Sequence, residues 1–271
     1  MHPSVRELEL SRDRVNYIIK ELITRFNETA IGRRIVKPVS LERDDKRCEE
    51  KGFISIGFNH ILDRIWFVDG VIDGSSYGYQ GIGGDFAEGI SEAEASYITR
   101  NILEKCSSSI LTFENTIRPS DILRAIESLN NLDIGANMVL TNVREHVKLW
   151  HYPNLTANGR LCVPKAFSGY RYDIPIEFFR GLPEGTSLIL NAEKLGDLLI
   201  KQSLVDTASI SDIDPSEYEK LLQEIPSIKV EELPEKVRFL AYETVKINIV
   251  DPNAVVILQE KGKLPPETKM I

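Results

Sequence analysis

Val237-Arg-Phe-Leu-Ala-Tyr-Glu-Thr-Val-Lys-Ile-Asn-Ile-Val-Asp-Pro-Asn-Ala-Val-Val-Ile-Leu258 carries the clearest β signal in the chain. Apolar and polar residues alternate over most of Val237 to Val250. That two-residue period puts Val245, Ile247 and Ile249 on one face of a strand. Asp251-Pro252-Asn253 reads as a turn, because proline fixes φ while Asp and Asn bond their own backbone. Ala254 to Leu258 follows as a second strand, and Val255, Val256 and Ile257 make it apolar enough for burial on both faces. The segment predicts a long terminal β-hairpin that serves as the stability centre of the molecule.

Upstream of it, the signals alternate between helix and strand. Asn191 to Gln202 has a period compatible with a helix, and Thr186 to Leu190 reads as a short buried strand. Asp214, Pro215 and Glu217 supply an N-cap, a first-turn proline and a capping-box acid for a helix over Ser216 to Gln223. Pro119 and Ser120 start a helix over Asp121 to Asn130, Asn137 to Leu140 is a buried strand, and Thr141 caps a helix reaching Trp150. Pro153 to Gly185 reads as loop. Ser91 and Glu94 form a capping box that opens a long helix through about Ile110. At the N-terminus Ser11 caps an amphipathic helix whose stripe is Val15, Ile18, Ile19, Leu22, Ile23 and Phe26, and Gly32 is its stop.

Residues 33–89 are different. The charged stretch Glu42 to Lys51 precedes two short strand-like runs, Phe53 to Phe58 and Arg64 to Val68. Asp69 to Gly89, with seven glycines, reads as loop. This region has strand-forming residues but too few apolar positions for a core of its own, so it needs a neighbour to lie on.

The 271 residues carry 33 Lys and Arg against 41 Asp and Glu, a formal charge of −8, which gives no basic patch signature for nucleic acid. No apolar run of roughly 18 residues or more is present to span a membrane. Cys48, Cys106 and Cys162 are far apart and odd in number, and fit no metal or disulfide framework; a reducing cytoplasm is the simplest home. Chemistry motifs fail on context. Gly74-Ser75-Ser76-Tyr77-Gly78 matches the nucleophile elbow, but the residues after it, Gln80 to Gly84, cannot start the helix that a serine hydrolase needs there. Gly81-Ile-Gly-Gly84 lacks the ending of a phosphate loop. His146 and His151 stand five apart, where a helical ligand pair needs four. The sequence predicts no enzyme, no cofactor and no metal.

Order and residues together resemble the encapsulins, nanocompartment shell proteins. Ala30-Ile-Gly-Arg-Arg-Ile-Val36 is similar to the family's Gly-Arg-Arg/Lys-x-Val segment, and Ile90 to Glu114 to its spine helix. Asp121 to Ile126, Met138-Val-Leu and Val143 to Leu149 resemble the opening of its axial domain. Val237 to Leu258 resembles the closing strand pair, with Glu-Thr in the first strand and an Asn/Asp-Pro-x-Ala turn. Gly196-Asp-Leu resembles a Gly-Asp-Phe-type segment, which implies a strand over Asp197 to Val205 in place of the helix that periodicity allows. The charged Leu41 to Lys51, the glycine-rich end of the loop and an insertion of about twenty residues at 210–234 depart from the family pattern.

The resemblance implies an α+β, tailed-phage (Hong Kong 97-like) major capsid fold. Its parts would be an N-terminal helix or arm at 1–32 and an extended loop at 33–89. A peripheral domain would combine the spine helix and terminal hairpin, 90–118 and 236–271, and an axial domain would fill 119–235. It implies a subunit of a closed icosahedral nanocompartment, a homo-oligomer that encloses cargo protein in the cytoplasm. The alternative on the same fold is the major capsid protein of a tailed virus or provirus enclosing DNA, with the virion as its location; a Ser76 hydrolase ranks last. It also places the N-terminal helix on the inner face; the width of the stripe leaves two readings there, one in which the whole stripe is core and one in which Val15 and Ile19 at its margin dock a cargo peptide.

Overall fold

A computed structural model describes residues 23, 24, 26, 27, 30–62, 67–68, 84–106, 109–149, 151–152, 156–157, 160–163, 172–212 and 237–262. In chain order the first elements are α1 (Gly32–Ile35), β1 (Lys37–Ser40), β2 (Ile54–Leu62), β3 (Phe67–Val68), α2 (Gly84–Lys105) and β4 (Ile110–Phe113). Next come α3 (Pro119–Asn130), β5 (Met138–Thr141), α4 (Val143–Leu149), β6 (Thr156–Ala157), β7 (Arg160–Val163) and β8 (Tyr172–Phe178). The last are β9 (Thr186–Leu190), α5 (Ala192–Leu195), β10 (Gly196–Gln202), α6 (Leu204–Thr207), β11 (Ser209–Asp212), β12 (Val237–Ile249) and β13 (Val255–Glu260). The chain is α+β and divides into two compact units. The first comprises Met1–Ala30, Ser40–Ala93 and Leu199–Lys246; the second comprises Ile31–Val39, Glu94–Leu198 and Ile247–Ile271.

One sheet has the order β1-β10-β12-β2-β3, with β11 also on β12. Its spine is the antiparallel pair β2 and β12, in register from Ile54 opposite Val245 to Leu62 opposite Val237. The extended region therefore finds its neighbour in its own chain. Val245 and Ile247 are buried as their alternation predicts, and Ile249 is half-buried.

The other sheet has the order β4-β13-β9-β5-β8-β7-β6. Every residue of β5, β9 and β13 is buried, so these strands are covered on both faces, which is why they read as continuous apolar runs. Ile122, Ala125, Ile126 and Leu129 of α3 are buried at helical spacing, and α3 packs on β9 and β13. The Asp121 carboxylate accepts from the Arg118 N–H at 2.9 Å and closes the start of that helix.

Several sequence expectations change here. The terminal pair is no hairpin: β12 joins β2, β10 and β11, while β13 pairs in parallel with β4 and antiparallel with β9. The chain leaves β12 because the Val250 and Asp251 N–H groups both donate to the Leu195 carbonyl. A 3-10 turn, Pro252–Ala254, capped by Asp251, then starts β13. Alternation predicts a strand, and is silent on its partner.

The long helix α2 starts at Gly84, so Ser91 and Glu94 lie two turns inside it, buried, and cap nothing. It ends at Lys105, and Ile110 begins a strand. Gly32 opens α1 in place of stopping a helix; a Cβ there would lie 2.7 Å from Glu94 Oε1 and 2.8 Å from Ile98 Cδ1. Thr141 is the last residue of β5, and the cap of α4 is Asn142, whose Oδ1 accepts from the Arg144 N–H at 2.8 Å. The stretch Pro153 to Gly185 contains β6, β7 and β8. Between Asn191 and Gln202 both readings hold in part: one helical turn, α5, precedes the strand β10 that the resemblance implied. The helix expected at Ser216 to Gln223 lies outside the described residues.

Candidate assembly surfaces

Two surfaces carry most of the unusual chemistry, one in each unit. In the first unit, the charged stretch after β1 is bound down by its own sheet. The Leu41 N–H donates to the Ile200 carbonyl at 2.8 Å, and Asp45 caps a 3-10 turn, Lys46–Glu49. The Arg47 guanidinium grips the same Asp45 carboxylate, with Nη2 to Oδ2 at 2.7 Å, and these bonds hold its pKa below the ordinary carboxylate value. Lys201 and Lys246 both place their ammonium groups over the Phe53 ring, at 5.7 and 5.9 Å. Lys201 also donates to the Cys48 carbonyl, and Lys246 to the Glu50 carboxylate. Leu41 to Lys51 is therefore a fastened surface loop.

In the second unit, Asn142 sets the direction of α4 by capping it and by donating to the Leu182 carbonyl at 2.6 Å. Glu145 and Leu149 point inward and are buried, which turns Val143, His146 and Val147 outward at i, i+3 and i+4 spacing. Val143 is 37%, Val147 47% and Phe178 48% exposed. The His146 ring lies against the Phe178 ring with centroids 5.3 Å apart, so the four residues form one apolar strip. Burial pushes the His146 pKa below its ordinary value of 6.5, while the Glu177 carboxylate opposes that shift. Beside the strip, Arg144 faces Glu145, Glu184 and Glu260 at 4.0, 3.6 and 3.6 Å. Lys148 lies 3.4 Å from the buried Glu145.

These groups bind and pack; they do not assemble a reaction centre. Thr141 Oγ1 and His146 Nδ1 are 3.3 Å apart, but the threonine is fully buried in β5 and bonds the Glu177 carbonyl, out of reach of a substrate. His151 is exposed at the end of α4. Burial pushes the Cys106 thiol up to about 11, which makes it inert. Among the described residues, no group of three or more His, Cys, Asp or Glu side chains could hold a metal, and no helix is long and apolar enough to cross a membrane. Val15, Ile19 and Ser76 lie outside the described residues, as do Gly81 to Gly83. The sequence reading passed over the strip, although Val143 and Val147 four apart on a capped helix were a signal for it.

No family model matches the sequence, and no curated protein matches it. Solved structures do. The virus-like particle from Pyrococcus furiosus is similar over 90% of this chain and 98% of its own, at 16% identity and a TM-score of 0.52. The chain has the tailed-phage capsid fold. That is the fold the resemblance implied, and at this identity the likeness establishes the fold alone. A phage-related protein from Bordetella bronchiseptica is similar over 90% of this chain and 97% of its own, at 10% identity and a TM-score of 0.49. The SrpI encapsulin from Synechococcus elongatus aligns over 76% of this chain and 73% of its own, at 11% identity and a TM-score of 0.38.

Proposed function

We propose that this chain is a structural shell subunit, not an enzyme, that assembles with copies of itself into a closed icosahedral compartment enclosing cargo protein. The observation that carries this reading is the likeness to the Pyrococcus virus-like particle, which runs over 98% of that chain. The surface chemistry agrees: a fastened loop, an outward apolar strip and a buried, inert Cys106 suit a building block. Cys48 and Cys106 are free thiols, as a reducing compartment requires. Electron microscopy of the purified full chain, with size-exclusion chromatography, tests the reading. The expected outcome is hollow particles at the void volume; a compact monomer at micromolar concentration would overturn it. Mass spectrometry and nuclease treatment of the same particles separate a protein cargo from the DNA of a viral capsid.

Val15 and Ile19 are the proposed cargo-docking positions. Phe26, lower on the same stripe, is buried and Ile23 is half-buried, so the stripe packs at its C-terminal end. In the Val15→Asp, Ile19→Asp double variant, particles that form without their co-purifying protein would support docking. Normal loading would defeat it, and loss of assembly would place both residues in the core.

A further inference from the structure

We propose that the segment from Leu41 to Lys51 is a strap latched by charge, which swings open on Gly52 as ionic strength rises and frees Lys201, Lys246 and the Phe53 ring beneath it. The inference stands apart from the shell reading and concerns the first unit alone. Almost no apolar burial holds the segment down. Leu41, Asp45 and Cys48 are half-buried, and every other residue from Glu42 to Lys51 is exposed. After Val36, the next buried side chain is Ile56 in β2. A segment that removes so little apolar surface from water opens at low cost.

The strap is built to move as one piece. The Cys48 N–H donates to the Asp45 carbonyl at 2.8 Å, and the Cys48 thiol donates to the Glu42 carbonyl at 3.3 Å. With the Asp45 cap and its Arg47 clamp, these bonds lie inside the segment and travel with it. Its downstream end is Gly52, at a left-handed φ of 94°. A Cβ at Gly52 would meet only Lys246 Cε, at 3.9 Å, so the position demands glycine for its conformation and not for lack of room. A residue with that freedom between a preformed turn and β2 is a hinge.

Beyond the Leu41 N–H at its root, the bonds that cross from strap to sheet are ionic. Lys201 of β10 donates to the Cys48 carbonyl at 3.0 Å, and Lys246 of β12 donates to the Glu50 carboxylate at 2.7 Å. Both ammonium groups also lie over the one Phe53 ring. The Asp206 carboxylate, held below its ordinary pKa mainly by Ser203, feels the Arg43 charge as well. The Lys246–Glu50 pair is open to water, at 22% and 49% exposure, so dissolved ions screen it. The strap thus decides whether the two lysines are answered within the chain or presented to solvent.

Cys48, half-buried under the latch, reports the opening. The test labels the full chain with an uncharged maleimide and follows Cys48 by peptide mass spectrometry. Sodium chloride is raised from about 0.01 M to about 1 M, which shortens the screening length from about 30 Å to about 3 Å. The Cys48 labelling rate is expected to rise about threefold or more, while the same chain in denaturant, the blank for salt effects on the thiol itself, shows no such rise. The Lys201→Gln, Lys246→Gln double variant should label fast at low salt and respond to salt no further. Glu50→Gln, which leaves the sheet untouched, should fall between the two. Hydrogen exchange at β12 amides should stay slow throughout. Labelling of the wild-type chain that ignores salt, or a double variant that keeps the wild-type response, would overturn the proposal. So would β12 amides exchanging in step with Cys48 labelling, because the unit would then be opening as a whole.

Discussion

A methyl group on Gly57 would sit 2.3 Å from the Ala241 carbonyl oxygen and 2.3 Å from Tyr242 Cα. Both are backbone atoms of the strand that Gly57 pairs with, and backbone in a sheet cannot step aside. Gly57→Ala is therefore expected to destabilise the first unit by about 1–3 kcal/mol, read from the midpoint of chemical denaturation. A variant with the wild-type midpoint would show that β2 and β12 are not packed this closely. His146 gives a second test at this scale. Its folded pKa lies below the unfolded value of 6.5 because burial disfavours the charged ring. The stability it contributes is intact above about pH 6.5 and is lost as pH falls through the folded value. The groups facing it are the Thr141 hydroxyl, the Phe178 ring and the Glu177 carboxylate, which is itself paired to Arg34 at 2.6 Å. Between pH 7 and 5 the melting temperature of the wild-type chain should fall more steeply than that of His146→Gln; parallel curves would remove His146 from the acid limb. Neither glycine contact was legible in the sequence. Gly57 and Gly32 each serve a close approach to residues far along the chain, and a local pattern holds no record of that.

At the scale of elements, one edge of β12 is shared by β10 and β11, and the short helix α6 interrupts them. Thr207 at the end of α6 bridges the gap: its hydroxyl accepts from the Tyr242 N–H at 2.9 Å and donates to the Tyr242 carbonyl. A side chain thus supplies both partners that a continuous strand would have supplied. Thr207→Val keeps the shape and removes the hydroxyl, leaving both Tyr242 groups without their partner. The expected cost is about 1–3 kcal/mol, with faster amide exchange at Tyr242 and recovery in Thr207→Ser. Unchanged exchange would show that water or a shifted strand replaces the hydroxyl. Elements whose signals were local came through, with α3 behind its proline and β9 in its apolar run both standing where the residues put them. The capping box at the second helix failed for a reason remote in sequence. The Ser91-x-x-Glu94 box has the composition of a cap, but Glu94 faces Arg33 at 3.3 Å in the interior of α2. Packing 61 residues away took the side chain that the local rule had assigned to the helix end.

For the whole molecule, the excursion at 33–89 and the terminal strand β12 depend on each other. Deleting residues 41–80 removes β2 and β3 and bares the edge of β12 from Val237 to Val245. Such a chain is expected to form no closed particles and to aggregate through that edge, seen by light scattering and electron microscopy. Closed particles from the deletion variant would show that the pair is dispensable for assembly. The sequence by itself determined the α+β class, the order of the principal elements and, through Ala30 to Val36, Ile90 to Glu114 and Val237 to Leu258, the capsid fold. The class and the elements follow from period and turn chemistry, which are local along the chain; the capsid fold is what the resemblance of those segments to the encapsulins implied. Only the tertiary structure decided that β12 and β13 part into two sheets, that β2 lies on β12, and that α4 turns its valines to solvent. Those outcomes depend on which distant strand offers a free edge and which distant surface needs covering, and such competition between remote segments leaves no periodic trace in any one of them.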